Sequence, residues 1–166
     1  MFNINIFLQN EYPDFNIDDT VIYNNTVKIA DYIVSDKDIF NKSCLYKYKF
    51  KTIVFDIILT DNKYIQRINN EYRKKDSPTD VITFAMFADS NEEERFILDE
   101  EIYLGEIIIS LDRIKEQSTE NNISFEDELY FVISHGILHL LGFDHQSLED
   151  YQFMVTNQNK AKAVVL

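Results

Sequence analysis

The sequence predicts an α/β protein in which a mixed β-sheet is covered by helices. Two observations predict this class. Short runs of β-branched and aromatic residues, which favour strands, alternate with longer stretches whose apolar residues recur at helical spacing. The 166 residues, 45% of them hydrophobic, are enough for one sizeable core and too few to favour two. We therefore expect residues 1–166 to form a single domain.

The first elements are a strand and a helix. Residues 2–8 alternate in character, which is typical of a strand. A helical pattern follows from about Thr20 to Val34, with Asp18 or Asp19 as its N-cap. Residues 46–60 again predict an extended chain, because alternating lysines are followed there by a run rich in β-branched residues.

The middle of the chain predicts a helix and two paired strands. Asp61 is suited to cap a helix that ends near Tyr72, because the K-K-D-S-P segment after it cannot continue a helix. Val81–Phe87 predicts a strand, and the next strand covers roughly Glu101–Ser110. Residues 89–101 are rich in carboxylates and predict a solvated loop between these two strands.

Helices fill the C-terminal part. Residues 112–119 predict one helix, and Ser124 with Asp127 forms a capping-box pattern for a second helix that reaches Leu141. The same pattern recurs at residues 147–150 and predicts a last helix.

Composition limits the classes of partner. Sixteen basic and 29 acidic residues give a net charge of −13, which opposes attraction to phosphate backbones and anionic membranes. Any nucleic-acid contact must therefore come from a local basic patch. The single cysteine, Cys44, allows no internal disulfide. No stretch approaches the ~18 apolar residues that span a bilayer, so we expect a cytoplasmic protein without a membrane partner.

The three histidines of the chain lie within eleven residues, in the segment S-H-G-I-L-H-L-L-G-F-D-H. His135 and His139 are four residues apart, so a helix places them on one face at neighbouring turns. Gly142 is suited to the left-handed conformation that ends a helix, which would let the chain return His145 to the same ion. This spacing predicts a metal site with three nitrogen ligands.

The predicted ion is zinc, one per chain, held by His135, His139 and His145. Three protein ligands leave a fourth position for a water that becomes available as a nucleophile, which is typical of catalytic zinc. Nickel, copper or iron also bind such sites. Affinity should fall below about pH 6 as the imidazoles protonate. The competing interpretation, histidines of an apolar core helix, would explain one histidine better than three at ligand spacing.

The spacing also matches the zinc-binding helix of the metzincin proteases, which carry a glutamate directly after the first histidine as general base. Here that residue is Gly136. Glycine cannot transfer a proton, so the pattern predicts a metal centre without peptidase activity.

Three sequence blocks resemble the YbeY family of bacterial endoribonucleases. Residues 135–145 match the family pattern H-G-x-L-H-L-x-G-[YF]-D-H at every fixed position. The family block Y-R-x-K-D-x-P-T-D-V-L-S-F-P corresponds to Y-R-K-K-D-S-P-T-D-V-I-T-F-A at residues 72–85, and L-G-D-I to L-G-E-I at residues 104–107. The resemblance covers about residues 12–158. Departures from the usual family residues are Thr83 for Ser, Ala85 for Pro and Glu106 for Asp.

The resemblance implies a zinc-dependent, single-strand-specific endoribonuclease that matures ribosomal RNA, notably the 3′ end of the small-subunit RNA, and assists ribosome quality control. Its partners would be single-stranded and ribosomal RNA and the ribosome or ribosome-associated factors. Arg73 matches an arginine that the family uses in catalysis. A guanidinium can hold two phosphate oxygens, so Arg73 would stabilise the charge that builds on phosphorus. The general base stays open between Glu106, a second water and the 2′-hydroxyl of the RNA.

Other charged residues have simpler interpretations beside the functional ones. Lys74 and Lys75 are most simply a solvated surface. On a strand, Lys47, Lys49 and Lys51 would share one face, where they would either hold an RNA backbone or, as we favour, protect an edge strand from pairing.

Asp80 and Asp144 are candidates for orienting the metal ligands, and a turn or capping role is equally open for both. Two other functions compete with the nuclease. One is an RNA-binding ribosome-assembly factor with structural zinc, and the other is a metal hydrolase that acts on a small substrate.

Overall fold

The computed structural model describes residues 2–13 and 17–166, and it has the predicted α/β class. The strands of this described part are β1 (Asn3–Asn10), β2 (Thr52–Thr60), β3 (Val81–Phe84) and β4 (Glu101–Ser110). Its helices are α1 (Asp19–Ser35), α2 (Lys37–Lys42), α3 (Asn62–Arg73), α4 (Met86–Asp89), α5 (Leu111–Asn121), α6 (Phe125–Leu140) and α7 (Leu148–Lys162). Among the described residues, no helix combines the length and the apolar character needed to cross a bilayer.

The strands form one mixed sheet in the order β1-β2-β4-β3, which confirms the predicted sheet type. β2 pairs in parallel with β1 and β4, whereas β3 pairs antiparallel with β4 and forms one edge. Most of β2 is apolar because its alternate residues Ile53, Phe55, Ile57 and Leu59 are fully buried. Asp56 and Ile58, which lie between them, are only partly buried.

Helix α6 is central to one face of the sheet. It contacts β3 and β4 and is flanked by α1, α5 and α7. Neighbours on several sides require an apolar surface over most of the helix, and residues such as Ile133 and Ile137 are fully buried. On the other face α3 contacts β3 and β4, where Ile65, Ile82 and Ile108 form a smaller core.

The helices begin at predicted capping residues. Asp18 and Asp61 each accept backbone N–H groups from the first turns of α1 and α3. Ser124 accepts an N–H from the first turn of α6. Ser147 and Asp150 form a reciprocal capping box at the start of α7. The predicted helix starts are therefore confirmed.

Strand β3 ends at Phe84, before the predicted end at Phe87. The reason is a close approach of two backbones. Gly105 on β4 has a φ of +133°, and a Cβ there would lie 1.9 Å from the carbonyl oxygen of Phe84. Only glycine permits this contact, after which the chain leaves the sheet and forms α4.

The prediction that Lys47, Lys49 and Lys51 share one face of a strand is wrong. The chain forms turns at residues 44–47 and no regular secondary structure at residues 48–50. The neighbouring strands β1 and β4 begin opposite Thr52, at Asn3 and Glu101, so residues 46–50 have no strand beside them to pair with. The three lysines are exposed.

Candidate metal centre

His135 and His139 lie one turn apart on α6. The four-residue spacing places both rings on one face of the helix, with their centroids 4.4 Å apart. The two Nε2 atoms are 2.9 Å apart. Both rings are half-buried, so two ring nitrogens converge on one small space beside the helix.

The end of α6 brings the third histidine to this space. The N–H of Gly142 donates to the carbonyl oxygen of His139 at 2.9 Å, and the N–H of Phe143 donates to the carbonyl oxygen of Leu138 at 3.1 Å. This Schellman arrangement requires a positive φ, and Gly142 has a φ of +90°. The reversed chain places the ring centroid of His145 5.5 Å from that of His135 and 5.4 Å from that of His139.

A tight turn at Asp144 sets the position of His145. The carboxylate of Asp144 accepts the side-chain amide of Gln146 at 2.8 Å and the backbone N–H of His145 at 2.8 Å. These two hydrogen bonds stabilise the charged form and lower the pKa of Asp144. Asp144 therefore acts on the backbone of a candidate ligand, which is the turn role that the sequence left open.

Polar groups outside the centre act on the two helical histidines. The side chain of Gln158 of α7, which is 2% exposed, acts to raise the pKa of His135, as a group that accepts a ring N–H does. The backbone of Phe143 acts on the pKa of His139 in the same sense. The Nε2 atoms of the two rings face each other, so Nδ1 is the nitrogen that can donate to these outer groups, which would leave both Nε2 lone pairs for an ion.

The protonation state and the donor set fit a metal ion. Burial, followed by the charge of His139, lowers the pKa of His135 to about 4. Burial and then His145 lower the pKa of His139. Both helical imidazoles are therefore neutral at pH 7, the form that binds metal. The candidate ligand nitrogens of the three histidines lie within 4.8 Å of one another, and an all-imidazole set suits a borderline ion such as zinc.

The three histidines line a cleft of about 490 Å³. Arg73, the last residue of α3, lines the same cleft and is exposed. Within the described part of the chain Arg73 forms no salt bridge. After burial and His145, the charge of Arg73 also contributes to the lowered pKa of His139, so the guanidinium acts electrostatically on the centre. The remaining lining residues include Thr79, Asp80, Val81, Thr83, Ala85, Asp89 and Asp144.

Asp80 holds the turn that leads into β3. Its carboxylate accepts the backbone N–H of Val81 at 2.8 Å, the hydroxyl of Thr79 at 3.2 Å and the amide of Gln117 at 3.3 Å. Among the described residues its hydrogen bonds do not include a histidine, and only its charge acts on His135. The turn role therefore describes Asp80 better than ligand orientation.

Three other candidates lie outside the cleft. Lys74 and Lys75 are exposed residues after α3, as expected for a solvated surface. Glu106 precedes Ile107 on β4, and the side chain of Ile107 lies against Gly136 of α6. Adjacent residues on a strand point to opposite faces, so Glu106 points away from the metal centre and is not positioned as a general base.

The structure adds two residues that the sequence did not single out for the site. Gln158 reaches His135 from a different helix, and no local pattern marks it. Thr83 lines the cleft, and its Oγ1 is buried without a hydrogen-bond partner among the described residues. The sequence could have indicated Thr83 through its place in the block at residues 72–85.

The fold and the cleft define a class of α/β proteins that carry a three-histidine centre beside an arginine. A family model described as Endoribonuclease YbeY matches residues 18–164. The chain belongs to the YbeY family, which confirms the resemblance inferred from the sequence blocks.

Relatives agree with this membership, and a solved structure has a similar fold. An Endoribonuclease YbeY of Fusobacterium nucleatum is 51% identical over 104 residues, which cover 63% of this chain and 62% of that protein, slightly under two thirds of its length. One from Acetivibrio thermocellus is 41% identical over 139 residues, covering 80% of this chain and 86% of that protein. The solution structure of a Thermotoga maritima protein is 26% identical with a TM-score of 0.59, covering 98% of this chain and 88% of that one.

Proposed function

We propose that the protein is a zinc-dependent, single-strand-specific endoribonuclease that processes ribosomal RNA, notably at the 3′ end of the small-subunit RNA, and assists ribosome quality control. It would act in the cytoplasm as one domain, with the ribosome or ribosome-associated factors as further partners. The observation that carries the proposal is the cleft that combines the three-histidine group with Arg73. Membership of the YbeY family supports RNA as the substrate class.

The histidines would hold the zinc ion as the ligand set. His135 and His139 are neutral at pH 7, so no proton has to leave them before binding, and Gln158 and the Phe143 backbone would orient the rings by accepting their outer N–H groups. The chemistry that zinc supplies when bound there is Lewis acidity towards a phosphate oxygen or a water molecule.

Arg73 would act on the phosphate. Its guanidinium is exposed in the cleft wall and has no salt-bridge partner in the described part of the chain. An unpaired guanidinium can donate two parallel hydrogen bonds to a phosphate, and it stabilises the negative charge that increases in the transition state.

The charge of the cleft supports a requirement for a divalent ion. Among the described residues that line the cleft, Asp80, Asp89 and Asp144 face one cation, Arg73. Without further positive charge this balance opposes entry of a phosphate. A divalent cation at the histidines offsets the carboxylates, so RNA binding and cleavage should both depend on metal.

A substrate panel tests the proposed function. Protein with a known zinc content is incubated with a single-stranded fragment of ribosomal RNA, with its duplex form, and with small phosphate and amide substrates. Cleavage of the single strand alone supports the proposal. RNA binding without cleavage would support the assembly-factor alternative, and turnover of a small substrate alone would support the small-substrate hydrolase.

Variants assign the residues. We expect Arg73→Ala to keep its zinc and its fold while cleavage falls by about 100- to 1,000-fold, the usual loss of one charge-stabilising donor. Arg73→Lys should recover part of the rate, because a point charge replaces a two-pronged donor. Lys75→Ala, which changes an exposed residue close to Arg73 in the chain, is the matched control. His139→Ala should lose zinc as well as activity, and a full equivalent of zinc in that variant would place the metal elsewhere.

A further inference from the structure

A second groove adjoins the metal cleft. It has a volume of about 410 Å³ and lies between the end of α2, the turn after it, and residues of α4 and the loop that follows. Gly142 lines both the metal cleft and this groove. Because glycine has no side chain, no side chain of this residue separates the cleft from the groove. We call it the basic groove. Its charged and aromatic lining residues are Lys42, Tyr46, Lys47, Glu92 and Arg95.

The basic groove has a charge balance opposite to that of the metal cleft. Lys42, Lys47 and Arg95 line it against one carboxylate, Glu92. The chain as a whole has a net charge of −13, so this groove is the kind of local basic patch that such a protein needs to attract a polyanion. Lys47 and Glu92 form an exposed ion pair at 2.9 Å, while Lys42 and Arg95 have no carboxylate partner among the described residues.

Neutral groups hold Arg95 in the wall of the groove. Its Nη2 donates to the carbonyl oxygen of Ala88 at 2.6 Å, and its Nη1 lies 3.4 Å from the hydroxyl of Tyr48. The guanidinium lies 5.3 Å from the centroid of the Phe87 ring. Its Nε is buried without a hydrogen-bond partner among the described residues. These contacts fix the guanidinium without cancelling its charge, so it remains able to attract an anion.

Tyr46 adds an aromatic surface to the groove. Its side chain is 59% exposed. An edge-to-face contact with Phe40, at a centroid distance of 6.4 Å, holds the ring in place. Sites that bind single-stranded nucleic acid combine a positively charged groove with aromatic side chains on which bases stack, and the basic groove contains both components.

We propose that the basic groove binds the part of a single-stranded RNA that continues out of the metal cleft. Lys42 and Arg95 contact its phosphates, and Tyr46 stacks on one of its bases. This inference rests on the proposed endoribonuclease function and adds a binding site to it. Phosphate contacts and stacking carry little base information, so the groove favours single strands over duplexes without selecting a sequence.

Substrates of two lengths test the groove through cleavage. A dinucleotide occupies only the metal cleft, whereas a strand of about twelve nucleotides also reaches the basic groove. In Lys42→Glu and Tyr46→Ala we expect the ratio of kcat/KM for the long strand to that for the dinucleotide to fall about tenfold, mainly through KM. Lys63→Glu is the matched control, because Lys63 is exposed in the first turn of α3 and the charge change is the same.

Salt dependence tests the groove through binding. Fluorescence anisotropy with a labelled strand is measured in the Arg73→Ala background, where cleavage is slow. Lys42→Glu should reduce the slope of log K against log salt by about 0.7, the value for one phosphate contact on a single strand. Tyr46→Ala should weaken binding with no change of slope. Glu92→Gln should tighten binding, because it releases Lys47 from its ion pair.

The two proposals fail in different ways. If wild type cleaves RNA while Lys42→Glu and Tyr46→Ala match Lys63→Glu in both length ratio and salt slope, the groove does not bind the strand and the nuclease function stands. If wild type cleaves no RNA, the proposed function is wrong, and the anisotropy slopes alone decide whether the groove binds RNA. Lys42 and Tyr46 are exposed, so equal unfolding midpoints should show that the variants are folded.

Discussion

A Cβ atom on Gly136 would lie 2.8 Å from Cγ2 and 2.9 Å from Cδ1 of Ile107. Helix α6 therefore packs against β4 with no room for a side chain at this position. Gly136 follows His135, where the metzincin proteases have their catalytic glutamate. The packing of α6 against β4 thus excludes a glutamate at this position, and without it the site lacks the general base of the proteases.

Gly136→Ala should lower the free energy of unfolding, measured by urea denaturation. Alanine gains about 1 kcal/mol over glycine in a helix, but overpacking costs about 1–3 kcal/mol, and the burial of Ile107 makes the overpacking cost prevail. Adding Ile107→Val should recover part of the loss, because it removes the Cδ1 methyl group. Strictly additive effects of the two changes would contradict this contact. Gly136→Glu should be less stable still and should show no casein hydrolysis.

Gln158→Leu should weaken metal binding by about 10- to 100-fold, the usual effect of losing a group that orients a ligand. Gln158 acts to raise the pKa of His135 and can accept its Nδ1–H, which would favour the tautomer with Nε2 free, whereas leucine cannot accept a hydrogen bond. Competition with a chromophoric chelator measures the affinity. Asn159→Leu, on the exposed side of α7, is the control. Equal affinities in the two variants would show that Gln158 does not orient the ring.

Stability of the chelator-treated protein should fall as the pH falls from 6.5 towards 4. The pKa of His135 is about 4 in the folded chain against 6.5 ordinarily, so the unfolded chain binds more protons in this window. The contribution of His135 to the free energy of unfolding is complete above pH 6.5 and is lost as the pH falls to about 4. The loss is at most about 3 kcal/mol. His135→Leu should flatten the profile of unfolding free energy against pH, and identical profiles for both proteins would refute this origin.

Thr83→Val should leave the unfolding free energy unchanged or raise it by about 1 kcal/mol. The hydroxyl of Thr83 is buried without a partner among the described residues, and valine replaces it with a methyl group of similar shape. Thr83→Ser keeps the hydroxyl and serves as the comparison. A loss of stability in Thr83→Val that Thr83→Ser does not share would reveal a hydrogen bond made by this hydroxyl.

The metal centre was predictable because its geometry is local. His135 and His139 are related by helical spacing, and the backbone freedom of Gly142 explains the return to His145, so no long-range contact had to be inferred. Gln158 could not be found in the same way, since its contact with His135 depends on how α7 packs on α6. Thr83 was visible only as part of a sequence block.

The fold shows the same division between local and tertiary information. Helix starts followed from caps such as Asp61, which act within one turn. The lysine alternation between Lys47 and Lys51 misled because a strand needs a neighbouring strand to pair with, and β1 and β4 begin only opposite Thr52, which a local pattern does not report. Helix α2 was missed because it is too short for a clear apolar period, although Asp36 caps it in the ordinary way.

The hydrogen bonds that end α6 also hold the metal centre together. Gly142 donates to His139, and Phe143 donates to Leu138. Transient opening of this last turn breaks both bonds and separates His145 from the helix, so a metal ion can escape without unfolding of the sheet. A bound ion resists the same opening, because it binds only the closed arrangement. We therefore expect the residence time of a bound metal to be limited by the fraying rate of one helical turn, and amide hydrogen exchange at that turn, with and without metal, would measure its opening.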